Sequence, residues 1–225
     1  MTQPESALSL RAKPAGYYGS DRRDVIGELE PPLGRVLDVG CGEGGAADML
    51  REAGADWISG IEIMPEPAAV AATRYDEVEV GDALEAVERV SGPFDTVLCY
   101  DVLEHLVDPA ALLRRLLTVA RAGGRLHVSV PNARHFSLVR DLVLRGTFGY
   151  SEYGHRDATH LRWFTRADML ELLGAAGWTV ESSTPGAIHK IRSLRLPLPR
   201  RLIYGLGGEF LTQQWYVLAR APAAG

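Results

Sequence analysis

The 225-residue chain is 46% hydrophobic and 24% charged, with a formal net charge of -5. Such a composition suits one α/β domain with a substantial core, exerts no strong pull on nucleic acid, and holds no apolar run long enough to span a membrane. Residues 1–16 lack the continuous apolar stretch of a signal peptide, and two isolated cysteines, Cys41 and Cys99, make neither a disulfide framework nor a zinc site, which suits a reducing cytoplasm.

From the N-terminus, "RVLDVG" (35–40) reads as a buried strand and "AADMLREAG" (46–54) as a helix closed by Gly54. "WISGIEI" is the second strand, with a helix expected over 67–75. "EVEVGD" is the third, followed by helical "LEAVERV", and "FDTVLCYD" is the fourth. Asp108 is placed to cap, and Pro109 to start, a helix expected to run through "PAALLRRLLTVARAGG". "RLHVSVPN" is the fifth strand. Thr165 to Asp168 reads as a capping box with Asp in place of Glu, ahead of the apolar stripe "MLELLGAAGW". "WTVESS" and "QWYVLARA" are the last two strands, and with no long helix between them the final one is expected to pair antiparallel. Alternation of strand and helix predicts a doubly wound α/β sheet of Rossmann-like type, mostly parallel, within a single domain spanning residues 1–225. Segment 1–34 is expected to act as a lid. Segments 133–164 and 185–211, long for plain connections and placed after strands, are expected to cap a substrate.

The first strand ends in Gly40-Cys41-Gly42-Glu43-Gly44-Gly45, a match to G-x-G-x-x-G. That pattern alone fits a dinucleotide and hence an NAD(P)-dependent oxidoreductase. Asp38, however, stands two residues before the first glycine. A carboxylate there repels a pyrophosphate and attracts a cation. S-adenosylmethionine carries an ammonium and a sulfonium and no phosphate, so Asp38 favours it. Glu62 ends the second strand, where a carboxylate can bind both ribose hydroxyls, a feature that by itself fits NAD equally. Asp82 follows the third, positioned to accept from an adenine amino group, with the small Ala83 leaving room for the ring. Three acidic residues at three successive strand ends form a more specific set than the glycines.

"LDVGCGEG", "GIEI", "GDA", "FDTVLCYDVLEHL" and "GGRLHVSVPN" together resemble the ordered motifs of class I S-adenosylmethionine-dependent methyltransferases, most closely the small-molecule branch that includes ubiquinone-biosynthesis O-methyltransferases. The resemblance implies a seven-stranded sheet with an antiparallel last strand. It implies that Asp38, Gly40, Cys41, Gly42 and Gly44 surround the methionine part and Glu62 takes the ribose. It also implies that Ile63 and Met64 flank the adenine, Asp82 and Ala83 meet its edge, and Tyr100 and Asp101 floor the site near the methyl group. Tyr17 or Tyr18 would lid the cofactor, or else pack on the sheet edge.

For chemistry, methyl transfer to a hydroxyl needs alignment and a base. Asp101, Glu104 and His105 share one face if "DVLEHL" is helical. Some relatives bind a divalent ion with an acidic residue, Glu and His here, but they carry Glu where this chain has Asp101. We read Glu104 and His105 as ordering the loop and assign no metal. In "YSEYGHRDATHLRWFT", His155, Asp157 and His160 are spaced like ligands, and Arg156, Arg162, Tyr153 and Trp163 suit an anionic or aromatic group. Its "THLRWFT" also resembles a run in methyltransferases of bacterial sugar and natural-product pathways, either as a conformational latch or as a substrate site. His105, His155 and His160 are the candidate bases. Lys190, Arg192, Arg195, Arg200 and Arg201 read as an ordinary solvated face, or as contacts to a phosphorylated or lipid-linked acceptor or a membrane surface. The expected function is methyl transfer to a small-molecule acceptor, anionic, sugar-linked or aromatic, most readily at oxygen. A non-catalytic S-adenosylmethionine-binding protein is a further alternative.

Overall fold

The computed structural model describes residues 22–186 and 208–223. Tyr17, Tyr18 and the basic run Lys190 to Arg201 lie outside the described residues, as does most of the expected second cap. Seven strands form one sheet in the order β3-β2-β1-β4-β5-β7-β6. They are β1 Gly34–Val39, β2 Ala55–Glu62, β3 Glu77–Val80, β4 Phe94–Tyr100, β5 Ala120–Pro131, β6 Thr179–Pro185 and β7 Gln214–Arg220. β1 pairs parallel with β2 and β4, and β7 runs antiparallel to both β5 and β6, as expected.

Side chains alternate across this sheet. Leu37, Val39, Val97 and Cys99 face one core, and Val36, Leu98 and Tyr100 face the other. Helices α1 Arg23–Ile26, α2 Ala47–Glu52 and α3 Pro65–Ala71 precede the short α4 Ala83–Ala86. A 3₁₀ turn, Leu103–His105, precedes α5 Pro109–Val119. The later helices are α6 Phe136–Arg145, α7 Arg166–Ala175 and α8 Gly208–Leu211. The Asp108 cap forms, its carboxylate accepting from the Ala111 amide at 2.9 Å. The capping box at Thr165 forms in both directions.

Helices are shorter than expected: those read over 46–54 and 67–75 span Ala47–Glu52 and Pro65–Ala71, and two others differ more. The one after Pro109 stops at Val119, and "ARAGG" opens β5 instead, because Ala120 pairs with Phe94 across the sheet. Gly123, with φ +71, fits that irregular start and not a helix. "LEAVERV" supplies one helical turn before the chain bends towards β4.

The direction of connection reverses between β1 and β4, the two central neighbours. In such sheets a crevice opens at the carboxyl ends of the strands on either side of this point. The cavity described next lies there.

Candidate active site

A cavity of about 740 Å³ is lined by the ends of β1 to β5, the 3₁₀ turn, the loop 154–161 and the start of β7. Its first part rests on the glycine turn. Gly40 has φ +72, and a Cβ there would come within 2.6 Å of Val102, so glycine is required twice over. Beside it, Asp38 is buried. Its Oδ2 accepts from the Tyr75 hydroxyl at 2.8 Å and its Oδ1 from Arg22 Nη1 at 3.3 Å. Arg22 also donates to the Gly40 carbonyl at 2.9 Å and lies over the Tyr100 ring. The carboxylate that the sequence marked for a cation thus already faces one. Burial pushes the Asp38 carboxyl up, and Arg22 and Tyr75 pull it partly back.

Glu62, buried at the end of β2, accepts from two backbone amides: Gly42 at 2.9 Å and Met64 at 3.0 Å. These fix its orientation, although burial keeps its carboxyl above the usual range. Asp82 is exposed on the rim, where one oxygen caps α4 through the Leu84 amide at 2.8 Å. Asp38, Gly40, Cys41, Gly42, Glu62, Ile63, Asp82, Ala83, Tyr100 and Asp101 all line the one cavity. Gly44 and Met64 do not. Gly44, with φ +70, presses against the backbone of Ala71, so it supports the turn from behind. Met64 is buried ahead of α3 and reaches the site only through its amide.

Tyr100 and Asp101 line the floor, but the face that Asp101 would share with Glu104 and His105 in a helical turn does not form. Asp101 lies outside the 3₁₀ turn, in the left-handed region at φ +56. Its carboxylate is taken by the Ser129 hydroxyl at 3.1 Å and by the Gln214 amide. Glu104 is 1% exposed, and among the described residues neither of its buried oxygens has a hydrogen-bond partner. Burial, with Asp101 and Asp157 adding repulsion, holds its carboxyl well above the usual range. His160 Nε2 stands 3.9 Å from Glu104 Oε1, and the His105 and His160 rings meet edge to face at 4.8 Å. One donor atom from each of Glu104, His105 and His160 lies within 4.8 Å of the others. That set, rather than Asp101 with Glu104 and His105 or His155 with Asp157 and His160, has the geometry to surround a small cation.

The cap segment supplies the remaining wall. The Glu104 carbonyl accepts from the Leu161 and Arg162 amides, which fastens the loop to the 3₁₀ turn. Trp163 packs edge to face on Phe148, His155 and His160. His105, His155 and His160 all line the cavity. The residues expected to receive an anion or an aromatic group do not. Arg156 is bound to Asp141 and to the Ser137 and Phe148 carbonyls, Arg162 reaches the Val107 carbonyl, and Tyr153 is 61% exposed. Arg22, Tyr75 and Gln214 were not foreseen, since each meets its partner from a distant part of the chain.

The family model described as "Methyltransferase domain" matches residues 12–183. The chain belongs to this methyltransferase family. The ubiquinone biosynthesis O-methyltransferase of Xanthomonas axonopodis pv. citri is 37% identical over 144 residues, covering 57% of this chain and 60% of that protein. Its counterpart in Xanthomonas oryzae pv. oryzae (strain PXO99A) is 32% identical over 179 residues, covering 73% and 71%. The match therefore spans about three-fifths of the length of the first relative. A SAM-dependent methyltransferase structure from Archaeoglobus fulgidus superposes with a TM-score of 0.64 at 16% identity, over 96% of this chain and 94% of that one, and shares the fold. The cofactor is S-adenosylmethionine, so the dinucleotide reading of the glycine motif falls away. Among the described residues no helix is long and apolar enough to cross a membrane.

Proposed function

We propose that this methyltransferase moves the methyl group of S-adenosylmethionine onto a hydroxyl oxygen of a small-molecule acceptor. The observation that carries the reading is the convergence of Asp38, Glu62 and Asp82, three successive strand-end carboxylates, on one cavity beside the glycine turn. The names of the relatives support oxygen as the acceptor atom. In this reading Asp38 and the Gly40-Cys41-Gly42 turn take the methionine part, and Glu62 binds the ribose. Ile63 flanks the adenine, and Asp82 with Ala83 meets its edge. Gly44 and Met64 hold the turn and Glu62 from behind. Tyr100 and Asp101 close the floor.

The reaction is an in-line displacement at a sulfonium, whose leaving group is neutral, so positioning supplies much of the acceleration. The chain's own tasks are to hold acceptor and cofactor in line, exclude water, and remove the hydroxyl proton. If a divalent ion binds, Glu104, His105 and His160 would hold it, and it would acidify the acceptor hydroxyl. The buried free thiols of Cys41 and Cys99 agree with a reducing compartment.

Calorimetric titration with S-adenosylhomocysteine and turnover of S-adenosylmethionine on 3,4-dihydroxybenzoate, a simple catechol, test the reading. Binding, together with S-adenosylhomocysteine formed from S-adenosylmethionine only when the catechol is present, is the expected result. Absence of binding at millimolar cofactor would sink the reading. Binding without turnover across hydroxyl probes would leave a non-catalytic cofactor-binding protein.

A further inference from the structure

Of the three histidines on the cavity wall, we infer that His155 is the general base, and that the Asn132 carbonyl is the group that readies it. The inference rests on the methyl-transfer reading above and chooses among the bases it leaves open.

His155 Nε2 lies 2.7 Å from the main-chain oxygen of Asn132. A carbonyl oxygen only accepts, so Nε2 carries the hydrogen and the lone pair of the neutral ring falls on Nδ1. With Nε2 turned to the end of β5, the Nδ1 edge is the one left for a ligand, and the residue lines the cavity. The anchor is rigid. Asn132 is fully buried, its side-chain amide donates to the Glu209 and Thr212 carbonyls at 2.6 and 2.8 Å, and its side-chain oxygen accepts from the Arg134 amide at 3.1 Å. This is the arrangement in which an acceptor behind an imidazole fixes the tautomer that takes a proton in front.

The other two histidines are differently placed. His160 faces the Glu104 carboxyl and His105 packs against it, its Nδ1 meeting the Thr159 carbonyl at 3.2 Å and hydroxyl at 3.1 Å. The Thr159 hydroxyl donates onward to Asp157 at 2.8 Å. Each of these two rings thus already turns a nitrogen towards the Glu104 and Thr159 cluster. His155 is not beside a carboxylate in any ion pair among the described residues.

The step balances simply. An acceptor oxygen attacks the methyl carbon and forms the O–C bond. The C–S bond breaks with its electron pair going to sulfur. The hydroxyl proton passes to Nδ1, leaving imidazolium, and is then lost to solvent.

The test uses the full chain with S-adenosylhomocysteine bound. ¹⁵N NMR of the labelled protein at neutral pH should show His155 as the neutral ring with hydrogen on Nε2 and none on Nδ1. Hydrogen on Nδ1, in either the neutral or the charged ring, overturns the inference whatever the acceptor. With 3,4-dihydroxybenzoate as probe, His155→Gln keeps a donor for the Asn132 carbonyl and removes the base. Its kcat should fall about 100-fold with the affinity for S-adenosylhomocysteine unchanged, and His155→Gly should recover part of the loss in added imidazole. A His155→Gln enzyme with wild-type kcat refutes the role. Loss of S-adenosylhomocysteine binding by the wild-type chain would instead count against the methyl-transfer reading, and the NMR result would still decide the tautomer.

Discussion

The two halves of the cavity are built by different means. In the cofactor half, backbone amides and strand ends position the functional groups: Glu62 is held by two amides, and Gly40 has a conformation that only glycine adopts readily. In the cap half, side chains position side chains: Trp163 packs on His155 and His160, and His105 leans on Thr159. The first kind of site is local in sequence and tolerant of change elsewhere. The second depends on pairs that meet only after folding.

Perturbing one half at a time breaks or sharpens this contrast. The largest effect is expected at Glu62→Ala, which removes the ribose acceptor and leaves two amides without their partner. Calorimetry should show S-adenosylhomocysteine binding weakened by about 3 kcal/mol, roughly a hundredfold. A loss below tenfold would mean that the amides, not the carboxylate, carry recognition.

A slightly smaller effect concerns His127, buried under the cofactor floor against the Tyr100 hydroxyl at 2.9 Å. Burial takes its pKa from 6.5 down to about 4. In the unfolded chain the ring binds a proton near 6.5, so between those values the unfolded state holds more protons. Stability should therefore be full above pH 6.5 and fall as pH drops towards 4, by at most roughly 3 kcal/mol. Denaturant melts at pH 7 and 4.5 measure this, and His127→Asn should flatten the dependence. An equally steep loss in that variant would place the effect elsewhere.

Trp163→Ala strikes the cap alone. Catechol turnover should fall about tenfold, equivalent to roughly 1.4 kcal/mol, as both histidines lose a packing wall. S-adenosylhomocysteine affinity should stay within about twofold, and a larger shift would show that the halves are coupled. The smallest effect belongs to Asp168→Ala. It removes one side of the capping box outside both halves, costing about 1 kcal/mol in a thermal melt with cofactor binding untouched.

The same contrast explains what could be read from sequence. Asp38, Glu62 and the glycines were legible because strand periodicity and turn chemistry act over a few residues. The face that Asp101 would share with Glu104 and His105 in a helical turn does not form, because Asp101 sits in a left-handed turn beside Ser129 and Gln214, contacts that a short motif does not reveal. Arg22 was missed because nothing near it in sequence signals a partner at Asp38. Arg156 and Arg162 were assigned to an anion because their charge is visible in the sequence and their carbonyl partners are not.

The bond between Gln214 and Asp101 ties residues 113 positions apart. Asp101 lines the cavity floor, yet part of its restraint comes from β7, the last strand in the chain, beside that from Ser129 of β5. A ribosome that has released the glycine turn, the carboxylates and all three histidines has therefore not yet released a finished pocket. Competence arrives late in synthesis, when the antiparallel strand docks, and a chain cut short of Gln214 would carry every residue of the cofactor loop with only the Ser129 side of its floor secured.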